Sequence, residues 1–162
     1  MTADLDPFLA GLDLPMFVVT TVHRDSGERA GCLVGFTAQS SIEPDRFVVF
    51  LSERNHTYRV ACHADVLAVH GLAADQRDLA VRFGSQTGDK VDKFAGTGWR
   101  QGPHGVPVLD GCPRLLVGTV LDRFPAGNHT AFVLDPVEAR GAAGVRPLMF
   151  SQVKDLDAGH AA

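Results

Sequence analysis

The sequence predicts a mainly β protein, an antiparallel β-barrel with one to three short helices. Short apolar and β-branched runs recur along the 162-residue chain, as in PMFVVTTV at 15–22 and FVVFL at 47–51. Polar turns with Gly, Pro or Asn separate these runs, and few stretches have helical spacing. Many short strands joined by turns fit an antiparallel sheet better than a parallel one, so the barrel is the favoured architecture.

The first half of the chain is predicted to be two strand pairs and a helix. β-branched residues favour strands, and the polar turn at Gly27 should make the first two strands a hairpin. An amide or hydroxyl at Asn55 or Thr57 suits a helix N-cap. The predicted elements are a leader at 1–13 with a helical turn near 8–12, strands at 15–22 and 29–36, a polar cluster at 37–41, a proline turn at 43–45, a strand at 46–52 and a helix to about 63.

The second half is predicted to hold one further helix and a long pair of strands. Asp75 is a good N-cap for a helix whose apolar residues Leu79, Ala80 and Phe83 share one face. The predicted elements are a strand at 66–72, a helix at 76–83, a short helix at 89–94, a loop at 97–107, strands at 114–124, 130–139 and 145–150, and a loosely held tail from 151. A length of 162 residues fits a single domain over 1–162.

Composition excludes several classes of function. The formal net charge is −4, which disfavours a nucleic-acid partner. No apolar run approaches the roughly 18–20 residues that cross a bilayer, and the acidic N-terminus lacks the basic start of a signal peptide. The sequence therefore predicts a cytoplasmic protein without a membrane partner. Three widely spaced cysteines argue against a disulfide framework, and they are interpreted as free thiols.

Several catalytic motifs are missing from the sequence. The seven histidines do not form a metal-binding pattern, so no metal site is predicted. No glycine-rich fingerprint for a dinucleotide or a P-loop occurs, so a nicotinamide could not bind in the manner of a dinucleotide fold. Serines near His56 lack a nucleophile elbow, which makes a hydrolase improbable on sequence grounds.

The segment 31–57 has a layout suited to binding a phosphate. A strand, a polar cluster, a turn, a second strand and a polar turn lead into a helix start. Hydroxyls, free backbone N–H groups and a helix N-terminus are groups that hold anions. The alternative is that Thr37 to Ser41 is only a strand end with turn chemistry, because hydroxyl clusters are common in turns.

The same segment resembles the flavin reductase-like family, the FMN-binding split-barrel proteins. The shared phrase reads Gly35-Phe36-Thr37-Ala38-Gln39-Ser40-Ser41-Ile42-Glu43-Pro44, with one residue more than the commonest spacing, and the polar turn ends in Asn55-His56-Thr57. Further matching pieces are LAVRFG at 79–84, DKF at 92–94, GVPVL at 105–109 and GNH at 127–129. The resemblance covers nearly the whole chain, and its strength lies in the order of the pieces.

The resemblance implies a split barrel that binds FMN or FAD and reduces it with NADH or NADPH, which stacks on the exposed flavin face. It also implies a homodimer with the flavin groove at the seam, and a monooxygenase partner that receives reduced flavin. The residues implied to line the flavin are Cys32, Leu33, Phe36, Thr37, Ala38, Gln39, Ser40, Ser41, Phe83 and Ser85. Those implied to hold its phosphate are Ser52, Asn55 and Thr57. Helical periodicity by itself favours a core position for Phe83.

His129 is the candidate catalytic residue, because the resemblance implies that it touches the nicotinamide. The family has Gly-Asp-His at this loop, whereas this chain has Asn128 in the middle position. Asn can orient the imidazole but supplies no charge. Two alternatives on the same barrel are a flavin or haem carrier without turnover and a reductase that uses a deazaflavin.

Overall fold

The computed structural model describes residues 1–85, 88 and 91–156, and within them nine strands and three α-helices. The strands are β1 (Phe17–Val22), β2 (Arg29–Val34), β3 (Thr37–Ile42), β4 (Asp45–Ser52), β5 (Val66–Gly71), β6 (Trp99–Gln101), β7 (Pro107–Leu109), β8 (Arg114–Ala126) and β9 (His129–Arg140). The helices are α1 (Asp6–Leu9), α2 (His56–Ala61) and α3 (Arg77–Gly84). The prediction of a mainly β, antiparallel protein with up to three short helices is confirmed.

One seven-stranded sheet organises the molecule, in the order β2-β1-β5-β8-β9-β4-β3. All its neighbouring strands are antiparallel, and β6 pairs with β7 in a separate small sheet. Side chains alternate between the two faces of a strand. One face of the large sheet is therefore free to form a core while the other is covered by β6, β7 and α3.

The large sheet curls around a hydrophobic core. Val19 of β1, Cys32 of β2, Leu51 of β4 and Phe132 of β9 bury their side chains in one cluster, although β2 and β4 lie near opposite ends of the sheet. The backbone N–H of Phe50 donates to the carbonyl that precedes β3, at 3.0 Å. Among the described strands, the two sheet edges β2 and β3 are not paired with each other, so the sheet does not close into a barrel.

A second hydrophobic cluster fixes α3 on the outer face of β1 and β2. Phe83 of α3 packs there with Met16, Val18 and Phe94, and its ring stands edge-on to Phe94 at 5.6 Å between centroids. Val153 of the tail is buried in the same cluster, and Arg77 pairs with Asp155 at 2.8 Å. The part of the tail at 151–156 therefore packs against α3, while 157–162 lies outside the described residues.

The structure corrects four predicted elements. Residues 37–41, predicted as a polar cluster after a strand, belong to β3, because Thr37–Ile42 pairs with β4 through a register shift between Gln39 and Ser41. Residues 145–150 form isolated bridges at Pro147 and Met149 instead of a strand. Trp99, predicted in a loop, begins β6. No side chain caps α3, whose N-cap is Gln76 rather than the predicted Asp75.

The structure tests the predicted short helix at 89–94 only in part, because Asp89 and Lys90 lie outside the described residues. The described remainder forms turns at 93–96. Across the described part of the chain, no helix is both long and apolar enough to span a membrane. The cytoplasmic location stays a prediction.

Candidate functional site

A first cavity of about 310 Å³ opens where β2 and β4 end. Its walls come from the end of β2, the end of β4, the residue before α2 and the turn between β8 and β9. The segment before β1, with Leu14 and Met16, and Phe150 complete the rim. The lining residues are Leu14, Met16, Cys32, Leu33, Val34, Gly35, Phe36, Phe50, Leu51, Ser52, Asn55, Asn128, His129 and Phe150.

The wall formed by β2 is an edge of the large sheet. Because β2 pairs only with β1, alternate residues direct their backbone N–H and C=O groups away from the sheet. Gly35 lies close to Leu14 and Met16, where a Cβ would approach the nearest atom to 3.0 Å. The result is an apolar recess with a backbone edge that can donate and accept hydrogen bonds.

His129 stands at the mouth of this cavity in a defined orientation. Its Nδ1 lies 2.7 Å from Oδ1 of Asn128. An amide oxygen only accepts, so Nδ1 carries a proton that it donates to Asn128. The Phe36 ring, 57% exposed, lies 5.2 Å from the imidazole centroid. The imidazole is therefore held between an amide and an aromatic ring beside the cavity.

The start of α2 supplies polar groups to the opposite wall. Asn55 is the N-cap, and its Oδ1 accepts from the backbone N–H of Thr57 at 2.9 Å. Ser52 Oγ lies 3.4 Å from the backbone N–H of Arg54. Thr57 itself is 1% exposed, and its hydroxyl is hydrogen-bonded to the thiol of Cys32. Thr57 therefore stands behind the cavity wall.

The end of α3 reaches the same wall from outside the sheet. A Cβ on Gly84 would approach Cδ2 of Leu33 to 2.8 Å, so only glycine allows the helix end to lie this close. The next residue, Ser85, has a buried hydroxyl without a hydrogen-bond partner in the structure. Phe83 is 1% exposed and belongs to the core, as its helical spacing predicts.

A second cavity of about 490 Å³ continues along β2. Cys32–Phe36 lines the first cavity and Gly27–Gly31 lines the second, so the two meet between neighbouring residues of one strand. His56 of α2 also lines it, and its Nε2 lies 2.9 Å from Glu28 Oε2. The remaining lining residues are Gly88, Val91, Asp92, Lys93 and Phe94.

Lys93 joins the elements around the second cavity. Its buried Nζ donates to the carbonyls of Gly31 at 2.9 Å and Phe83 at 3.0 Å, which ties β2 to α3. Burial lowers the pKa of Lys93, and the nearby Cys32 acts in the opposite direction. Burial also raises the pKa of the Cys32 thiol, so this cysteine is a neutral wall residue. Arg82 holds the loop by donating to the carbonyls of Lys93 and Ala95.

The structure brings together six of the residues implied by the resemblance and separates the others. Those that line the first cavity are Cys32, Leu33, Phe36, Ser52, Asn55 and His129. Thr37, Ala38, Gln39, Ser40 and Ser41 lie on the edge strand β3, half-buried or exposed, and none lines either cavity. Thr57 and Phe83 lie behind the walls, and Ser85 is at the end of α3.

Sequence reasoning missed the residues of the second cavity. The sequence predicts only a strand at Arg29 and Gly31, and only a polar turn at a helix start for His56. Lys93 belongs to a matching piece of the family phrase, DKF, but nothing in the sequence showed that its amine is buried. The edge position of β2 would have been the useful signal, and it depends on strand pairing that the sequence does not state.

Three features of the structure fit a flavin. The first cavity offers an apolar recess beside a backbone edge, which suits a flat ring with polar atoms on one side. Ser85 at the end of α3 lines neither cavity, but its buried hydroxyl lacks a partner, as expected of a group that a ligand satisfies. The second cavity carries Arg29 and Lys93, whose N–H groups suit a phosphate, beside the carboxylates of Glu28 and Asp92, of which Glu28 is paired with His56.

Comparison with known proteins identifies the family. Residues 9–157 match the family model described as "Flavin reductase like domain". The reductase subunit HsaB of a flavin-dependent monooxygenase from Mycobacterium tuberculosis is 31% identical over 162 aligned residues, covering 93% of this chain and 81% of that protein. The actinorhodin polyketide dimerase of Streptomyces coelicolor is 37% identical over 106 residues, which cover 63% of this chain and 58% of the dimerase.

A solved structure agrees on the fold. The NADH:FAD oxidoreductase SgcE6 of Streptomyces globisporus C-1027 superposes with a TM-score of 0.82 at 19% identity, covering 94% of this chain and 93% of that one. The model match over most of the chain, together with the HsaB relative, confirms the predicted family and the predicted enzyme class, a flavin oxidoreductase. The chain belongs to the flavin reductase-like domain family.

Proposed function

We propose that this protein binds a flavin along the edge of β2 and reduces it with NADH or NADPH. The observation that carries the proposal is the division of β2 between two cavities, an apolar one at Cys32–Phe36 and a charged one at Gly27–Gly31, where Arg29 lies beside Glu28. From Arg29 to Val34 a strand rises by about 17 Å at about 3.3 Å per residue. This length suits a molecule with a flat ring at one end and a phosphate at the other.

Residues of the first cavity would hold the ring. The edge backbone of β2 would hydrogen-bond its polar side, with Leu33 and Phe36 in contact with its faces. Ser85 would supply the hydroxyl that lacks a partner in the protein. Ser52 and Asn55 would contact the chain that links ring and phosphate, and Arg29 with Lys93 would face the phosphate. Thr57 would act indirectly, by fixing Cys32 from behind.

The bound flavin would supply the redox chemistry, by accepting a hydride from the nicotinamide. His129 would position the nicotinamide at the mouth of the first cavity. The hydrogen bond from Nδ1 to Asn128 would fix the orientation of the imidazole at the cavity mouth, where the ring can contact the nicotinamide. Phe36 beside it would exclude water from one side of the site.

We also propose that two copies close the site and that a monooxygenase uses the reduced flavin. Each of the edge strands β2 and β3 has one side without a partner strand in the described chain, and a second copy at this seam would complete a split barrel. Thr37, Ala38, Gln39, Ser40 and Ser41 could then reach a flavin only through that seam. The monooxygenase partner is supported by the HsaB relative, whose name describes a reductase subunit.

Flavin titration and nicotinamide oxidation test the proposal together. Purified protein is titrated with FMN and with FAD by quenching of flavin fluorescence, and NADH and NADPH oxidation is followed with each flavin. Ser52→Ala should weaken flavin binding roughly tenfold, the order expected for a lost hydrogen bond. Thr119→Ala, in β8 away from both cavities, is the matched control. Binding without nicotinamide oxidation would identify a carrier, and a haem absorption band or a requirement for deazaflavin would replace the proposal.

A further inference from the structure

A third cavity of about 240 Å³ adjoins the second cavity. It lies at the end of the second cavity that is farther from the first. The second and third cavities share Gly27 and Arg29, so they meet at the turn between β1 and β2. The strand β6 and the turn that follows it, up to Gly105, form the opposite wall. The residues that line the third cavity are Val22, His23, Arg24, Gly27, Arg29, Trp99, Gln101, His104 and Gly105.

Arg29 stands at the junction in a fixed position. Its guanidinium carbon lies 4.6 Å from the ring centroid of Trp99 and 5.9 Å from that of Phe94. Within the described residues Arg29 makes no ion pair, and its N–H groups are not used by any other side chain. Stacking restricts the side chain while leaving its charge available, which is an arrangement suited to a phosphate.

The third cavity is cationic and rich in donors. Its lining includes two arginines and two histidines, and no carboxylate appears among the described residues that form it. Arg24 is committed to Asp65 at 3.0 Å. His23 Nδ1 accepts the backbone N–H groups of Asp25 and Ser26, so the neutral ring carries its proton on Nε2. Gln101 and His104 are exposed on the opposite wall.

We infer that the third cavity holds the adenosine monophosphate half of FAD, so that the protein selects FAD over FMN. The inference rests on the proposed function, which puts the flavin phosphate in the second cavity. The group that extends a flavin beyond that phosphate is a second phosphate followed by adenosine. Arg29, which lines both cavities, lies between the two phosphates and contacts the second as well as the first, and the aromatic rings and amide of the third cavity face the base.

Nicotinamide dinucleotides carry the same adenosine monophosphate group as FAD. The order of the cavities favours FAD as the ligand whose adenosine monophosphate group occupies the third cavity. The three cavities follow one another along β2 and its turn, with the shared residues Gly27 and Arg29 at the second junction. A nicotinamide held at His129 lies at the opposite end of this row, beside the first cavity. The experiment separates the two sources by measuring each ligand.

The test is equilibrium binding without nicotinamide. Dissociation constants for FMN and FAD are measured by flavin fluorescence on the full chain, with and without AMP as competitor. FAD should bind at least about tenfold more tightly than FMN, the effect of one added charge-assisted hydrogen bond. AMP should displace FAD and leave FMN bound. Equal affinities for FMN and FAD would overturn the inference, whereas failure of both flavins to bind would overturn the proposed function itself.

The double variant Gln101→Ala/His104→Gly tests the cavity directly. His104 has φ of 56°, a left-handed conformation that glycine adopts without strain, and Gln101 is exposed, so the fold should be retained. The variant should bind FAD about as weakly as FMN, with FMN affinity unchanged. Ser151→Ala, far along the chain in the tail, serves as the control. Equal losses for both flavins, or a raised KM for NADH with an unchanged FAD to FMN ratio, would overturn the inference.

Discussion

The hydroxyl of Ser85 is a buried polar group that the protein itself leaves without a partner. Such a group costs stability in the free protein and becomes useful when a ligand satisfies it. Ser85→Ala should therefore raise the unfolding free energy of the free protein by about 1 kcal/mol and weaken flavin binding several-fold. Thermal unfolding and flavin titration of the same sample measure the two opposite effects.

Ser151→Ala is the contrasting control for Ser85. The Ser151 hydroxyl donates to Asp13 Oδ2 at 2.6 Å, and this hydrogen bond helps to keep the pKa of Asp13 below its ordinary value. Removing a partnered hydroxyl should lower stability slightly and leave flavin affinity unchanged. If Ser85→Ala behaves in the same way as Ser151→Ala, Ser85 does not contact the flavin.

The pair Asn128 and His129 carries a second prediction at the residue scale. His129→Ala should lower the rate of NAD(P)H oxidation roughly 10²-fold through lost positioning, with flavin affinity nearly intact. Asn128→Asp places a carboxylate 2.7 Å from Nδ1, where it favours the protonated imidazole. The acidic limb of the kcat/KM profile should then move to higher pH. Identical pH profiles for the parent and both variants would show that the loop is only a structural turn.

Single residues show where sequence reasoning stops. Asn55 was predicted as a helix cap from its type and position, and its amide does cap α2. Thr57 is also of a type and at a position suited to a helix cap, but its hydroxyl is directed inward to Cys32. The sequence pattern does not distinguish a capping hydroxyl from an inward one. Lys93 illustrates the larger difficulty. Burial of a lysine depends on the carbonyls of Gly31 and Phe83, which lie 62 and 10 residues away in sequence.

At the scale of elements, His70 joins β5 to its neighbours on the covered face of the sheet. Its Nδ1 lies 2.9 Å from the carbonyl of Val18 in β1, and its Nε2 accepts the backbone N–H of Leu109 in β7 at 3.0 Å. Both contacts require a neutral ring with the proton on Nδ1. Burial accordingly lowers the pKa of His70 from 6.5 to about 4.

The lowered pKa of His70 predicts acid destabilisation with a defined sign. The unfolded chain takes up a proton below pH 6.5, whereas the folded chain does so only near pH 4. The unfolding free energy should therefore fall as the pH drops from 6.5 to 4, by about 3 kcal/mol from this residue. Denaturant unfolding across this range should show a steeper decline for the parent than for His70→Gln. Parallel curves for the two proteins would contradict the prediction.

Gly84 at the end of α3 tests how closely helix and sheet must approach. In an isolated helix, alanine would be favoured over glycine by about 1 kcal/mol. Here the added Cβ would meet Leu33 Cδ2 at 2.8 Å, so Gly84→Ala should push α3 away from the first cavity. Both thermal stability and flavin affinity should fall. Gly144→Ala, where a Cβ meets nothing within 4 Å, is the control, and equal behaviour of the two variants would refute the contact.

Elements were predictable where a local pattern determined them. The apolar run at 47–51 and the hairpin around Gly27 are examples, since the strands β4, β1 and β2 all form as predicted. β3 was missed because Thr37–Ile42 is polar on both faces, so its strand character comes from pairing with β4. The prediction of a strand at 145–150 was wrong for the opposite reason. The composition of this segment favours a strand, but in the structure it forms only isolated bridges.

At the scale of the whole molecule, two exposed apolar side chains lie on and beside the edge strand β3. Ile42 of β3 is 81% exposed, and Phe36, which precedes β3, is also exposed beside the first cavity. Large apolar side chains gathered near a free strand edge are typical of an interface, because such an edge is otherwise open to pairing.

The proposed homodimer therefore leads to a prediction that links assembly to the site. Light scattering at micromolar concentration should give the mass of two chains for the parent, and Ile42→Asp should shift it to one chain because a charge on the β3 edge opposes association. Since Phe36 lies between β3 and the first cavity, the monomeric variant should also bind flavin more weakly. Leu5→Asp, at another exposed position in the leader, should change neither property. A parent protein that is monomeric, or an Ile42→Asp monomer with undiminished flavin affinity, would show that the site is complete within one chain.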